Sequence, residues 1–480
     1  MTFPITDLYA ILPELIIVLY ACIILVFDPF ISNEKKVHLA WTSLLALGLA
    51  FFASYRFMSL EIEAFSGMFI LDPFSTFFKF LFYTITAITI LMSINYLKLE
   101  GVHLGEYYAF LLLATSGMML MVSGSDLITI YLGLELTAIS LYVLAGFKRF
   151  EPKSTEASAK YFVLSSFSSG ILLYGISLLY GLTGTTHLKG VSAFIVQTEF
   201  SGPALILAVI LLVIGFGFKV AAVPFHMWAP DVYQGAPTSV TAFMSVGPKA
   251  ASFAIFLRVF LEAFGGIKEN WTALLIVLSV ATMILGNVVA ISQTNIKRML
   301  AYSSIAHAGY ALIGLVVGNQ DGISSLLLYL FIYAFMNLGA FGVVILIRRG
   351  EMEGVEIKDF SGLAKRNPLA ALVMLVFMFS LTGIPPTAGF IGKFYIFMAA
   401  VQADLVWLAV IGVLLSAVSA YYYLRVVMVM YMQEPEQEFE LATSPAMSIA
   451  LLVAVGVIMA IGVYPDPIVS YAQSSILNIQ

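Results

Sequence analysis

Charge is what this chain has least of. Only 11% of its 480 residues are Asp, Glu, Lys or Arg, against roughly 25% in an ordinary soluble protein. A single cysteine, Cys22, excludes an internal disulfide and any Cys-rich iron–sulfur or zinc site on the chain. The five histidines (His38, His103, His187, His226 and His307) are scattered, with no His-x-x-x-His pair to seed a metal site. The net charge of −5 is small and dispersed, so no nucleic-acid partner is expected. The strict alternation of a membrane β-barrel is also absent. What remains is apolar: 61% of the residues are hydrophobic and the mean hydropathy is +0.99. The chain reads as an all-α polytopic membrane protein whose immediate surroundings are the lipid bilayer.

Apolar runs of about 20 residues, the length that crosses a bilayer, recur at 8–28, 37–58, 72–95, 106–123, 126–147, 157–182, 203–226, 238–263, 271–292, 298–317, 323–347, 369–400, 404–431 and 446–470. This predicts about fourteen helices in one membrane domain, with long connections only near 183–202, 349–367 and 432–445 and no room for a soluble domain. The Leu8–Phe27 run is span-length and has no basic residue before it, so it reads as a retained helix rather than a cleavable signal. Thirteen basic residues lie in connections after odd-numbered helices and three (Arg56, Lys189 and Lys268) after even-numbered ones. By the positive-inside rule both termini are expected on the outer side.

The remaining seven basic residues fall inside the apolar runs. Lys160, Lys219, Lys249 and Lys393 lie deepest, whereas Lys79, Arg258 and Arg425 lie nearer span ends, Arg425 as an expected interfacial anchor. Each buried cation costs a few kcal/mol on insertion, so a series of them marks a charge-handling path. Lysine suits protons: desolvation can bring its proton exchange towards neutral pH, a nearby carboxylate has the opposite effect, and an ammonium cannot ligate sodium. Glu135, in DLITIYLGLELTAISLYVL, is the expected buried counter-charge, paired with Lys160 or Lys219 and titrating with it as a unit; a static ion pair that fixes packing is the alternative. His307, in YSSIAHAGYALIGL, has a side chain suited to relaying protons between lysines, or is a satisfied core histidine. Asp231, in HMWAPDVYQGAPTSV, is a loop cap or a proton-uptake residue.

Two spans are interrupted by proline. The seventh reads GFGFKVAAVPFHMWAP, with Lys219 ahead of Pro224; the twelfth reads SLTGIPPTAGFIGKFYIF, with Lys393 behind Pro385 and Pro386. Proline frees backbone carbonyls that need other partners. Broken spans in corresponding positions point to a repeated transporter core, and their separation by five helices predicts an inverted repeat. Helices 1–3 would occupy residues 1–100, the first repeat (helices 4–8) 105–263, the second (helices 9–13) 271–431, and a last helix 446–470. Gly392-Lys393 lacks the other features of a phosphate loop, and Gly215 and Gly217 lack the third glycine of a dinucleotide fingerprint.

The segments YLGLELTAISLYVLAGF, EASAKYFVLSSFSSGILLYG, GFKVAAVPFHMWAPDVYQGAPTSVTAFMSVGPKAA, NIKRMLAYSSIAHAGYALIG and TGIPPTAGFIGKF resemble the antiporter-like membrane subunits of respiratory complex I. The resemblance covers about residues 130–396, and WAPDVYQGAPT carries it most specifically. It implies fourteen helices in two inverted five-helix repeats, with a glutamate on helix 5 and lysines on helices 7, 8 and 12 along a central hydrophilic axis. Glu135, Lys219, Lys249 and Lys393 stand at those positions, with Lys160 and His307 as further members. It also implies a subunit of a redox-driven proton translocase in the bacterial inner membrane. NADH, FMN, iron–sulfur clusters and quinone would be bound by other chains, and neighbouring antiporter-like subunits would be the partners. Within the family, the largest member has a longer C-terminus with a lateral amphipathic helix, and the mid-sized one carries glutamate at the position of Lys393, so the resemblance favours the third. A multi-chain cation/proton antiporter, a membrane hydrogenase subunit and a non-pumping scaffold are the alternatives.

Overall fold

The computed structural model describes residues 5–58, 60–198, 202–349, 352–435 and 440–477. Parts of the three long connections (199–201, 350–351 and 436–439) and both extreme ends therefore lie outside the described residues. The helices run in order α1 (Ile5–Phe27), α2 (Val37–Arg56), α3 (Pro73–Leu99), α4 (Glu106–Ser123), α5 (Leu127–Ala145), α6 (Pro152–Thr183), α7 (Leu188–Thr198), α8 (Pro203–Val220), α9 (Trp228–Gly235), α10 (Thr238–Arg258), α11 (Lys268–Ile291), α12 (Ile296–Val317), α13 (Gln320–Leu346), α14 (Leu363–Arg366), α15 (Pro368–Thr382), α16 (Ala388–Gln402), α17 (Val406–Met432), α18 (Pro445–Val463) and α19 (Asp466–Ser474). Thirteen helical segments among the described residues are long and apolar enough to cross a membrane, and the shorter apolar pair α15–α16 takes the place of the expected twelfth span. The all-α polytopic class and the expected set of apolar spans are thus present. Strands are confined to connections: a hairpin of β1 (Ile62–Ala64) with β2 (Phe69–Leu71), paired Ile62 to Leu71, and a small sheet in which β3 (Ile347–Arg349) lies between β4 (Met352–Glu353) and β5 (Glu440–Leu441).

Helix starts follow local chemistry. Pro stands in the first turn of α3, α6, α8, α15 and α18, where its missing N–H costs nothing. Asp72, Asp126, Asn295, Asn319 and Ser444 accept first-turn N–H groups with their side chains. Small residues then let backbones approach. A Cβ on Gly133 of α5 would meet the Gly117 carbonyl oxygen of α4 at 2.8 Å, and one on Gly309 of α12 would meet the Met283 nitrogen of α11 at 2.7 Å. Such contacts favour association in lipid, where no hydrophobic effect draws helices together.

The centre of the bundle is α10, α12 and α13, each buried over 94% of its most apolar stretch, whereas α1, α17 and α18 bury 33%. α10 is fastened to α3 at both ends. At one end the Thr238 amide donates to the Tyr96 hydroxyl at 3.0 Å; at the other Arg258 donates to both oxygens of Asp72, at 2.8 and 3.1 Å, and to Glu262 at 3.1 Å. Arg258, expected near a span end, is fully buried and completes this tie. Arg425, expected as an interfacial anchor, donates from α17 to the Ile291 and Gln293 carbonyls at the end of α11. The Arg258→Ala variant, which strands two acidic groups beside the core, should destabilise the chain by about 3 kcal/mol; thermal unfolding of the purified protein checks this, and an unchanged transition would exclude the tie as a stabilising contact.

Candidate functional site

Both expected breaks are present, and each is answered by a hydrogen-bond donor. α8 ends at Ala221, whose backbone is left-handed (φ 60°), and the chain resumes as α9 after residues 221–227. The freed Phe218 carbonyl accepts from the Trp228 indole N–H at 3.0 Å, and the Val223 amide donates to Thr282 at 2.9 Å. α15 ends at Gly383, with φ 92°. The Leu381 and Thr382 carbonyls at its end accept from Lys393 Nζ at 2.9 and 2.8 Å, which places a cation at the negative end of a helix dipole. Within α10, Pro248 leaves the carbonyl four residues earlier, that of Met244, without its helical donor, and the Tyr233 hydroxyl supplies one at 3.3 Å.

Three buried ammonium groups occupy these irregularities, and none has a carboxylate partner among the described residues. Lys219, in the last turn of α8, donates to the Ser165 and Ser169 hydroxyls of α6 at 2.7 and 3.3 Å. Lys249 donates to the Ser304 hydroxyl and carbonyl at 2.6 and 3.0 Å. Lys393 adds the Ser416 hydroxyl of α17 at 2.8 Å to its two carbonyls, and sits at the base of a cavity of about 560 Å³ with otherwise apolar α16 and α17 walls. Hydroxyl partners matter chemically. A serine accepts from an ammonium and can turn to donate to the free amine, whereas a carboxylate holds the proton in place.

Hydroxyls and an imidazole lie between Lys249 and Lys393 in two groups that adjoin in sequence at Ser303 and Ser304 without a hydrogen bond between them. Ser304 holds Lys249; the adjacent Ser303 bonds the Tyr423 hydroxyl, which lies 3.1 Å from His307 Nε2; and His307 Nδ1 meets the Tyr329 hydroxyl at 2.6 Å. The Tyr310 ring then stands edge-on to His307, with the Lys393 ammonium 5.2 Å from its centroid. Both imidazole nitrogens thus face groups able to give or take a proton. Beside Lys219 lies a cavity of about 20 Å³, lined by Lys219, Pro248, Ser252, Thr137, Tyr161 and Trp228 among others, room for roughly one water.

Two sequence expectations are altered. Glu135 is half-buried and forms no ion pair among the described residues; one of its oxygens is shielded from solvent without a hydrogen-bond donor, although its field reaches Lys219. The direct pairing with Lys160 or Lys219 is therefore not formed. Lys160, expected among the deepest lysines, is 42% exposed in its side chain and pairs with Asp231 at 2.8 Å and Glu156 at 2.7 Å. Asp231 lies in α9 and also binds Arg298 at 2.7 Å, so it is an ion-pair partner rather than a loop cap. Nor is Glu135 the deepest carboxylate. Glu14 of α1 is 2% exposed and pairs with the fully buried Lys79 at 2.6 Å. An acidic residue inside the Leu8–Phe27 run was the signal for it. Nothing in the local sequence marked Tyr329 or Tyr423, which reach His307 only through the tertiary fold. Among the described residues no cluster of three or more His, Cys, Asp or Glu side chains could hold a metal ion.

Outside the spans, a knot of charge joins the ends of several helices. Glu353 accepts from Tyr96 and Thr238 and pairs with Lys148 at 3.1 Å; Lys148 and Arg348 both bind Glu100; and Lys297 donates to the Ala236 carbonyl at 2.7 Å. Burial alone would raise the Glu353 carboxyl, but the Lys297 and Lys148 cations and the two hydroxyl donors outweigh it and hold it at about 2.

A helical membrane bundle with buried lysines held by hydroxyls and backbone carbonyls beside two broken spans defines the class. The chain belongs to the NADH:quinone oxidoreductase/Mrp antiporter membrane family, whose model matches residues 124–419. It is 50% identical over 463 residues, 96% of each chain, to NADH-quinone oxidoreductase subunit N 2 of Rhizobium meliloti (strain 1021). It is 48% identical over 474 residues to NADH-quinone oxidoreductase subunit N of Trichlorobacter lovleyi, covering 98% of this chain and 97% of that one. Among solved structures it superposes on a chain of respiratory complex I from Thermus thermophilus with bound aureothin, with a TM-score of 0.81 and 33% identity over 95% of this chain and 98% of that one.

Because the Glu353 carboxyl lies below its ordinary value of about 4.3, the stability it contributes is present above that value and lost as pH falls towards 2. Glu353→Gln should therefore lower thermal stability by the same amount at pH 6 and pH 8. A deficit that disappears at the higher pH would contradict the charge knot.

Proposed function

We propose that this chain is a proton-translocating membrane subunit of an NADH–quinone oxidoreductase, passing protons along Glu135, Lys219, Lys249, His307 and Lys393 while quinone is reduced elsewhere in the complex. The observation that carries the reading is the set of three buried lysines whose partners are hydroxyls and backbone carbonyls. A static packing pair needs a carboxylate against each ammonium to offset desolvation, and Glu14–Lys79 shows that this fold builds one where it needs one. The axis lysines lack that partner and adjoin hydroxyls, an imidazole and a water-sized cavity, which is what proton exchange requires.

In this reading Glu135 acts on Lys219 through its field rather than by contact. A change in its distance or charge alters how firmly Lys219 holds its proton, and the hydroxyls of Ser165 and Ser169 accommodate either state. Lys249 receives the proton next, and the hydroxyls of Ser304, Ser303 and Tyr423 with the His307 imidazole lie on the way to Lys393. Two inverted five-helix repeats, 105–263 and 271–431, fit the matching glycine contacts in α4–α5 and α11–α12 and the two breaks. The redox groups belong to other chains, since one cysteine cannot ligate a cluster. The partners are the other membrane subunits of the complex, neighbouring antiporter-like subunits among them, and the bias of basic residues among the connections supports an outward position for both termini in the bacterial inner membrane.

A subunit of a multi-chain cation/proton antiporter is the second reading, because the family description spans both assemblies; co-purification with an NADH-oxidising, quinone-reducing assembly distinguishes them. In that assembly, Lys219→Met and Glu135→Gln should each slow proton transfer through the chain by about a hundredfold, the scale of a lost acid–base group, while subunit content stays unchanged. Proton uptake per NADH oxidised, measured in sealed vesicles, checks this, and wild-type ratios in both variants would refute the reading.

A further inference from the structure

One polar opening is not used by the axis. Lys153, Glu156, Ala157, Lys160, Asp231, Gln234 and Gly235 line a cavity of about 160 Å³ between α6 and α9. Its charged groups are organised: Asp231 takes Lys160 on one oxygen and Arg298 on the other, and Arg298 also donates to Gln234 at 3.0 Å. The two backbones pack closely beside it: a Cβ on Gly235 would lie 2.4 Å from the Lys153 carbonyl oxygen. Lys160 and Asp231 are partly exposed there, 42% and 39% of their side chains.

One residue beyond Lys160 the environment changes. Tyr161 is 4% exposed and belongs to the lining of the small cavity at Lys219. Its ring stacks on Trp228 at 4.8 Å and 18°, and Trp228 stacks in turn on Phe218 at 5.5 Å and 25°. The indole N–H is pinned to the Phe218 carbonyl, the group exposed by the end of α8. The same two helices, α6 and α9, therefore line a polar basin on one side of the stack and the Lys219 cavity on the other. The stacked faces are apolar; the polar atoms at their edges are the Tyr161 hydroxyl and the Trp228 N–H, the latter taken up by the Phe218 carbonyl.

We infer that the α6–α9 cleft is the port by which protons reach Lys219, with the Lys160–Asp231 basin as its mouth and the Tyr161–Trp228–Phe218 stack as its water gate. This rests on Lys219 as a proton carrier. With the stack closed, the amine is cut off from the basin and a proton cannot leak back. Displacement of one ring joins the basin to the cavity and lets a chain of water form. The break between α8 and α9 supplies the freedom for that displacement, since Trp228 is the first residue of α9 and is held to α8 by one hydrogen bond and one ring contact.

The test uses the assembled complex in liposomes, with a thiol introduced by Ser252→Cys beside Lys219. A membrane-impermeant cationic methanethiosulfonate is added on the NADH-oxidising face, and mass spectrometry reads modification of this chain. Adding Trp228→Ala should raise the labelling rate about tenfold, the scale on which loss of an aromatic stack moves a closed–open equilibrium. Passive proton leak should rise with it, and Trp228→Phe should behave as wild type. Tyr161→Leu removes the opposite ring and serves if Trp228→Ala does not assemble. Labelling and leak at wild-type levels in an assembled variant lacking either ring overturn the gate. Raised labelling together with normal pumping in Lys219→Met leaves the gate standing and removes the proton-carrier reading on which it rests.

Discussion

An ammonium group held away from water without a carboxylate is the constraint around which this bundle is organised. Such a charge is tolerated only where the surrounding backbone and hydroxyls supply compensating dipoles. The two broken spans and the proline in α10 place discontinuities beside the lysines. Lys393 takes the carbonyls released at the end of α15; Lys219 sits where α8 stops, against two serines of α6; Lys249 follows Pro248 and finds Ser304. In each case an irregularity that would weaken an ordinary helix lies next to a cation that an ordinary helix could not hold.

Around this polar interior the frame is rigid. α10 carries Lys249 and is fastened to α3 by Tyr96–Thr238 at one end and by Asp72–Arg258 at the other, while Glu353 binds Tyr96, Thr238 and Lys148 in one cluster. Glycine contacts between α4 and α5 and between α11 and α12 set close backbone spacings. The breaks after α8 and α15, and the half-buried Glu135, lie outside these ties. Coupling between a distant redox reaction and this chain needs an element with two arrangements, and these are the places where the fold provides one.

Much of this was legible in the sequence because membrane folding leaves strong marks. Span-length apolar runs, Pro224 and the Pro385–Pro386 pair, and lysines at 219, 249 and 393 within apolar stretches each report a local physical cost. Lys160 misled because a lysine eight residues into a helix reads the same whether it faces a core or a water-filled cleft; only the packing of α9 against α6 decides. Glu135 misled in the opposite sense, since a lone carboxylate invites a contact that the helix spacing does not provide. Tyr423 and Tyr329 carried no local signal, because buried tyrosines are abundant here and only tertiary placement puts two of them on His307.

In this mechanism the axis lysines change protonation during turnover rather than serving as fixed packing charges. The most direct measurement is an isotope-edited infrared difference spectrum of the purified complex with nitrogen-15 lysine, recorded on adding NADH and quinone. Lysine bands that shift with the isotope and are lost in Lys249→Met are expected. A difference spectrum with no contribution from lysine, in a complex that is pumping protons, would contradict this mechanism.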